Sequence, residues 1–283
     1  MASVLRCSHL NRALYNIRKI KLFSKLIRFF RAPRKTETIE VRDIQPKTSN
    51  GDTEVRKHSS SARDLLKQAT QLKKEKDYDA ACEKLKAAYS ADGAEDLMVK
   101  DRLRLGMYLQ LAGKSDEGWQ YLNELNAQFV DVFSQLEISN QMRVFLQKEK
   151  QFNKAILFSI WSIAKGIECS RFNIQSSVSM TDQMAKIRSK YDMPLDDSEK
   201  ETFGKTPKGN PITDSAYPMF LSRLNESTSE SGIYSQIERD MKKAKLSDLA
   251  KPLSQDLAIY FTTHKAYKLD EIRDLVNHRI NVV

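Results

Sequence analysis

The chain is short of the residues that build metal centres, disulfide scaffolds and thiol chemistry. Among 283 residues it has three cysteines and four histidines. Cys7, Cys82 and Cys169 are odd in number and widely spaced, with no C-x-x-C pair. That excludes a disulfide framework and points to a reducing compartment. His9, His58, His264 and His278 are scattered and make no H-E-x-x-H or other ligand spacing, so no metal or other cofactor is expected. No two segments alternate in the way paired strands do. Gly204-Lys205-Thr206 has the ending of a phosphate loop, but Glu199 stands where the earlier glycine is required and no strand precedes it. Asp196 and Asp197 sit in a polar loop and read as solvated, so no catalytic residue is named. Asn225-Glu226-Ser227 is a glycosylation sequon without meaning unless the chain is secreted.

One absence is local. No carboxylate precedes Glu37, whereas ten lysines and arginines lie between Arg6 and Lys35. The chain holds 47 basic and 37 acidic residues; removing the ten leaves 37 of each. The net charge of +10 therefore belongs to a head on a neutral body. No nucleic-acid partner is expected.

The head reads as an amphipathic helix from Ile20. At 100° per residue, Ile20, Leu22, Phe23, Leu26, Ile27, Phe29 and Phe30 fill one side, and Lys21, Lys25, Arg28 and Arg31 lie opposite. Rings can sink below anionic headgroups that the cations then pair, at on the order of 1 kcal/mol for each cation. Pro33 ends the helix. Residues 5–19 are also helical in pattern, but their stripe is out of phase, which implies a bend. The apolar runs here are far too short to cross a bilayer or to make a secretory signal. The expected role is a peripheral anchor. The alternatives are a mitochondrial presequence, which is also Arg-rich, amphipathic and acid-free, and a helix that packs on the body or a partner, or a disordered basic arm.

Residues 37–60 read as a linker. At Ser61 the pattern changes. Ser61 and Asp64 form a short-armed capping box before a periodic apolar run. A repeat of 37 residues follows: Lys76-Asp77-Tyr78, Gly113-Lys114-Ser115 and Lys150-Gln151-Phe152 fall in one register. So do Leu72, Leu109 and Leu146, and the small residues Ala81, Gly118 and Ala155. Each unit reads as two antiparallel helices that must stack on neighbours to bury their apolar faces. The third unit departs from this register at Arg143, Ser159 and Ser162.

Ala69-x-x-Leu72…Tyr78-x-x-Ala81-x-x-x-Leu85-x-x-Ala88 resembles the tetratricopeptide repeat at its helix-packing positions. The resemblance covers residues 62–168 with a period longer than that family's usual 34 or so. It implies an all-α fold: a tetratricopeptide-like helix-hairpin stack with a basic amphipathic N-terminal helix and a small C-terminal helical module. The expected divisions are 1–36 for the basic segment, 37–60 for a linker, 61–191 for the repeat domain, 192–216 for a polar loop and 217–283 for the C-terminal module. A separate helix at 174–190 would cap the stack. Short helices are expected at 217–225, 232–246, 253–264 and 269–280, as a small second module or as a continuation of the stack without detectable repeats.

First helices of such hairpins line a groove. Lys67, Lys74, Arg102, Arg104 and Arg143 lie on them and would favour an acidic peptide of a protein partner. The expectation is therefore a non-enzymatic adaptor on the cytoplasmic face of a membrane. Residues 21–31 are similar to leader segments of bacterial capsule and surface-glycan synthesis proteins, which implies the inner membrane and a glycan-assembly partner. Two alternatives stand beside it: an accessory subunit or small enzyme with a site in 192–283, and an imported mitochondrial repeat protein whose presequence is 1–36.

Overall fold

In a computed structural model, residues 61–194 and 201–280 are described. The expected anchor, Ile20 to Arg31, lies outside them, as do Asp196 and Asp197.

The chain enters its first helix at Ser61, whose hydroxyl accepts from the Asp64 amide at 3.3 Å and donates to the Asp64 carboxylate at 2.8 Å. The capping box is therefore formed. Three hairpins follow: α1 (Ala62–Lys74) with α2 (Tyr78–Tyr89), α3 (Val99–Leu111) with α4 (Ser115–Gln128), and α5 (Val132–Lys148) with α6 (Phe152–Tyr191). After a strap at 201–216 come α7 (Tyr217–Thr228), α8 (Glu230–Lys243), α9 (Ser247–Thr263) and α10 (Leu269–Arg279). Among the described residues the fold is an all-α stack of helix hairpins, and the only extended pairing is an isolated bridge between Lys205 and Pro211.

The hairpin turns share one chemistry. Lys76, Gly113 and Lys150 take left-handed backbone with φ of 65°, 76° and 58°. The next amide, of Asp77, Lys114 or Gln151, donates to the carbonyl of Leu72, Leu109 or Leu146. This closes the helix end by satisfying carbonyls that would otherwise lack partners. The same turn occurs a fourth time. Lys245 has φ 62° and Leu246 donates to the Met241 carbonyl at 2.9 Å. Ala250 then occupies the place of Ala81, Gly118 and Ala155. So α8 and α9 form a fourth hairpin.

The small residues permit close helix contact. A Cβ on Gly118 would lie 2.9 Å from the Gly106 carbonyl oxygen and 3.0 Å from Phe145. The first hairpin shares one cluster with α3, including Ala69, Ala81 and Leu85 from the hairpin and Leu105, Tyr108 and Leu109 from α3. All later hairpins share a second cluster, which runs from Val99 through Phe145, Ile156 and Ile160 to Ile237, Leu257, Phe261 and Ile280.

One expectation changes here. The helix expected at 174–190 is the second half of α6, which is continuous over 40 residues. Its first half is buried on every side from Ala155 to Ala164, as a helix apolar all round must be. Residues 217–280 pack into the same core as the third hairpin. Arg171 on α6 secures this docking: its guanidinium donates to the carbonyls of Phe261, His264 and Lys265 and lies 5.3 Å from the centre of the Tyr267 ring.

The strap is tied down. Phe203 N donates to Ile212 O and Ile212 N to Gly204 O, with Ile212 fully buried. Asp182 on α6 accepts from Thr206 Oγ1 at 2.7 Å and Asn210 Nδ2 at 2.8 Å, and pairs with Lys208 Nζ at 3.2 Å. Ser177 donates to Asp214. Those hydrogen bonds, with Asn210 and Thr206 foremost, hold the Asp182 carboxyl below its ordinary pKa. A lowered value means that the anchor is present at neutral pH and is lost only as the pH falls through that lowered value. Asp182→Ala is expected to speed tryptic cleavage after Lys205 or Lys208 several-fold, since it removes the partner of Thr206, Lys208 and Asn210 on α6. The thermal midpoint of the core should barely move. An unchanged cleavage rate would show that Asp182 does not hold the strap.

Candidate functional site

Each of the five cations expected to line a groove has a setting of its own. Lys67 is exposed and paired with Asp64 at 3.1 Å, and Lys74 is exposed at the end of α1. Arg102 donates to the Ala94 carbonyl at 2.9 Å and lies 5.6 Å from the Tyr89 ring centre. Arg104 pairs with Asp101 at 3.0 Å. Arg102 and Arg104 thus bind the second hairpin to its own surroundings. Arg143 faces a different way: Nη1 reaches Asp240 Oδ2 at 3.3 Å, with Asp240 only 2% exposed. Gln147 Nε2 donates to the other oxygen of Asp240 at 2.6 Å, and Arg239 Nε lies 3.9 Å from that oxygen.

Around Arg143 lies a cavity of about 300 Å³. Its lining comes from α5 (Asn140, Arg143), α6 (Ser159, Ser162), the end of α7 (Ser227) and α8 (Gln236, Arg239), with Leu136, Ile163 and Gly166 as its apolar part. None of these residues is acidic. Ser162 Oγ lies 2.9 Å from both Ser139 Oγ and the Phe158 carbonyl. Sequence reasoning marks Arg143 both as a groove cation and as a departure from the repeat, and Ser159 and Ser162 only as departures. Asn140, Gln236 and Arg239 it missed, because nothing periodic connects α8 to the third hairpin.

A second feature lies on the far half of α6. Met180, Met184, Ile187 and Tyr191 are exposed and follow one another at spacings of four, three and four residues. That spacing puts them on one face of the helix. Lys186 and Lys190 extend from the same turns, with Lys190 Nζ 5.1 Å from the Tyr191 ring centre. Monomeric proteins rarely leave such an apolar row uncovered.

Thiol chemistry has little support. Cys82 and Cys169 are buried, and burial pushes Cys169 up to about 11 and raises Cys82, so both are protonated at neutral pH. Among the described residues no cluster of histidine, cysteine, aspartate and glutamate could hold a metal ion. Nor is any helix there long and apolar enough to cross a membrane. No family model matches the chain, and no curated protein or solved structure matches it.

Proposed function

We propose that the chain is a non-enzymatic adaptor, held to an anionic membrane surface by residues 20–31 and binding a protein partner through its helical hairpins. The observation that carries the partner-binding half is the uncovered row Met180, Met184, Ile187 and Tyr191 beside Lys186 and Lys190. Apolar residues at helical spacing take another amphipathic helix, and the lysines beside them favour acidic flanks on that partner. The similarity of residues 21–31 to leader segments of capsule and surface-glycan synthesis proteins supports a place at the cytoplasmic face of a bacterial inner membrane, beside a glycan-assembly enzyme.

Co-sedimentation with liposomes tests the membrane half. Full-length protein is expected to sediment with anionic vesicles at low salt, to release at high salt and to ignore neutral vesicles. A 37–283 truncation should stay in the supernatant. Sedimentation of neither form, or of both alike, would remove the anchor. A photo-crosslinker at Met184 tests the partner half. It is expected to give one discrete protein adduct in the native membrane fraction, and Ile187→Glu should abolish that adduct. Persistence of the same adduct in the variant would count against the α6 row.

A further inference from the structure

The three departures of the third hairpin converge on one place. In the first two hairpins the register of Ser159 is held by Leu85 and Leu122, both 0% exposed. The register of Arg143 is held by Ala69 and Gly106, and that of Ser162 by Ala88 and Leu125. Where its neighbours fill their interior, the third hairpin has exchanged leucine for serine and a small residue for arginine. All three exchanged side chains line the same cavity.

Burying polar groups is costly unless they find partners. Ser162 is satisfied within the fold. Arg143 shares Asp240 with Gln147 and, more distantly, Arg239. Ser159 is only 5% exposed and makes no hydrogen bond to any group of the described residues. Charge is also out of balance. Two guanidiniums border the cavity, none of its lining residues is acidic, and the carboxylate that meets Arg143, that of Asp240, stands behind them. Lys243, bonded to Gln147 Oε1 at 3.3 Å, adds to the field from outside.

We infer that this cavity is a binding site for a monocarboxylate carried on a short aliphatic chain. The carboxylate accepts from Arg143, Arg239 and the Ser159 hydroxyl, because a planar guanidinium pairs well with a carboxylate. Inorganic phosphate lacks the aliphatic part that Leu136 and Ile163 would receive. The aliphatic part lies against Leu136 and Ile163, and the volume exceeds what a bare carboxylate needs. A free short-chain acid and a glutamate side chain share this chemistry. The inference is independent of the adaptor reading and of the α6 row.

The test is a saturation-transfer NMR titration of the full-length protein with butyrate, butyramide, inorganic phosphate and N-acetyl-glutamate amide. Saturable binding of butyrate or of the blocked glutamate is expected, with phosphate weaker and butyramide silent. Butyrate alone identifies a free acid as the ligand, and blocked glutamate alone identifies a peptide side chain. Arg239→Gln, at an exposed residue whose loss the fold tolerates, should weaken binding about tenfold. Ser159→Leu restores the residue of the other hairpins. It should abolish binding without lowering the melting temperature. The inference is overturned if neither carboxylate saturates, if phosphate binds more tightly than both, or if the two variants bind as the wild type does.

Discussion

Asp240→Ala is expected to destabilise the protein by roughly 3 kcal/mol, within the range for breaking a buried ion pair by removing one partner. Asp240 is 2% exposed, and it meets Arg143 at 3.3 Å and Gln147 at 2.6 Å. Its removal leaves a guanidinium that is 19% exposed and an amide without an acceptor. Partial exposure of Arg143 keeps the cost at the lower end, since water reaches part of the charge. Replacing both partners, as Arg143→Met with Asp240→Leu, should recover most of the loss, because apolar groups of similar volume substitute for buried pairs at little cost. The shape of the urea transition carries a second result. The core from Val99 to Ile280 is continuous, so the whole transition should move to lower urea as one. A separate early transition of residues 217–280, with the rest unmoved, would mean that the C-terminal helices fold as their own unit.

That continuity is where sequence reasoning stopped short, and the reason is physical. Turn chemistry is local: a left-handed residue and two hydrogen bonds mark Lys76, Gly113 and Lys150 at equal spacing, and the repeat could be read from it. The fourth turn at Lys245 has the same geometry but follows Lys150 by 245 − 150 = 95 residues. The long α6, the strap and α7 intervene, so no period announces it. The start of α9 was hidden by Pro252, which reads as a helix boundary yet sits inside the helix. There its missing N–H deprives only the Asp248 carbonyl of an i+4 donor. The strap is tied to α6 by long-range contacts such as that of Asp182 with Thr206, 24 residues on. No local pattern carries such a contact. The same holds for the cavity. Arg143, Ser159 and Ser162 were visible as exceptions to a packing rule, but Arg239 joins them only through the docking of α8.

Gly118→Val is the other substitution expected to be severe, at about 3 kcal/mol or more, because overpacking costs most where the obstruction cannot move. At Gly118 the obstruction is the Gly106 carbonyl oxygen, 2.9 Å from a built Cβ, and the Phe145 ring at 3.0 Å on the other side. A backbone oxygen cannot yield without separating α3 from α4, and Phe145 is itself buried in the core. Gly118→Ala should cost less, since alanine gains up to about 1 kcal/mol of helix propensity over glycine and partly offsets the clash. At Gly106 an added Cβ meets Leu122 Cγ and Cδ2 at 2.9 Å and the Gly118 carbonyl oxygen only at 3.4 Å, so the tightest obstruction is a side chain rather than backbone and the cost of Gly106→Ala should be smaller again. Gly166→Ala supplies the opposite sign. A Cβ there meets nothing within 4 Å, and the propensity gain should raise stability by up to about 1 kcal/mol. Chemical denaturation of the four variants therefore gives an order: Val at 118 worst, then Ala at 118, Ala at 106, and Ala at 166 above wild type. If Gly118→Ala proved as stable as Gly166→Ala, the close approach of α3 and α4 would not be what the glycines are for.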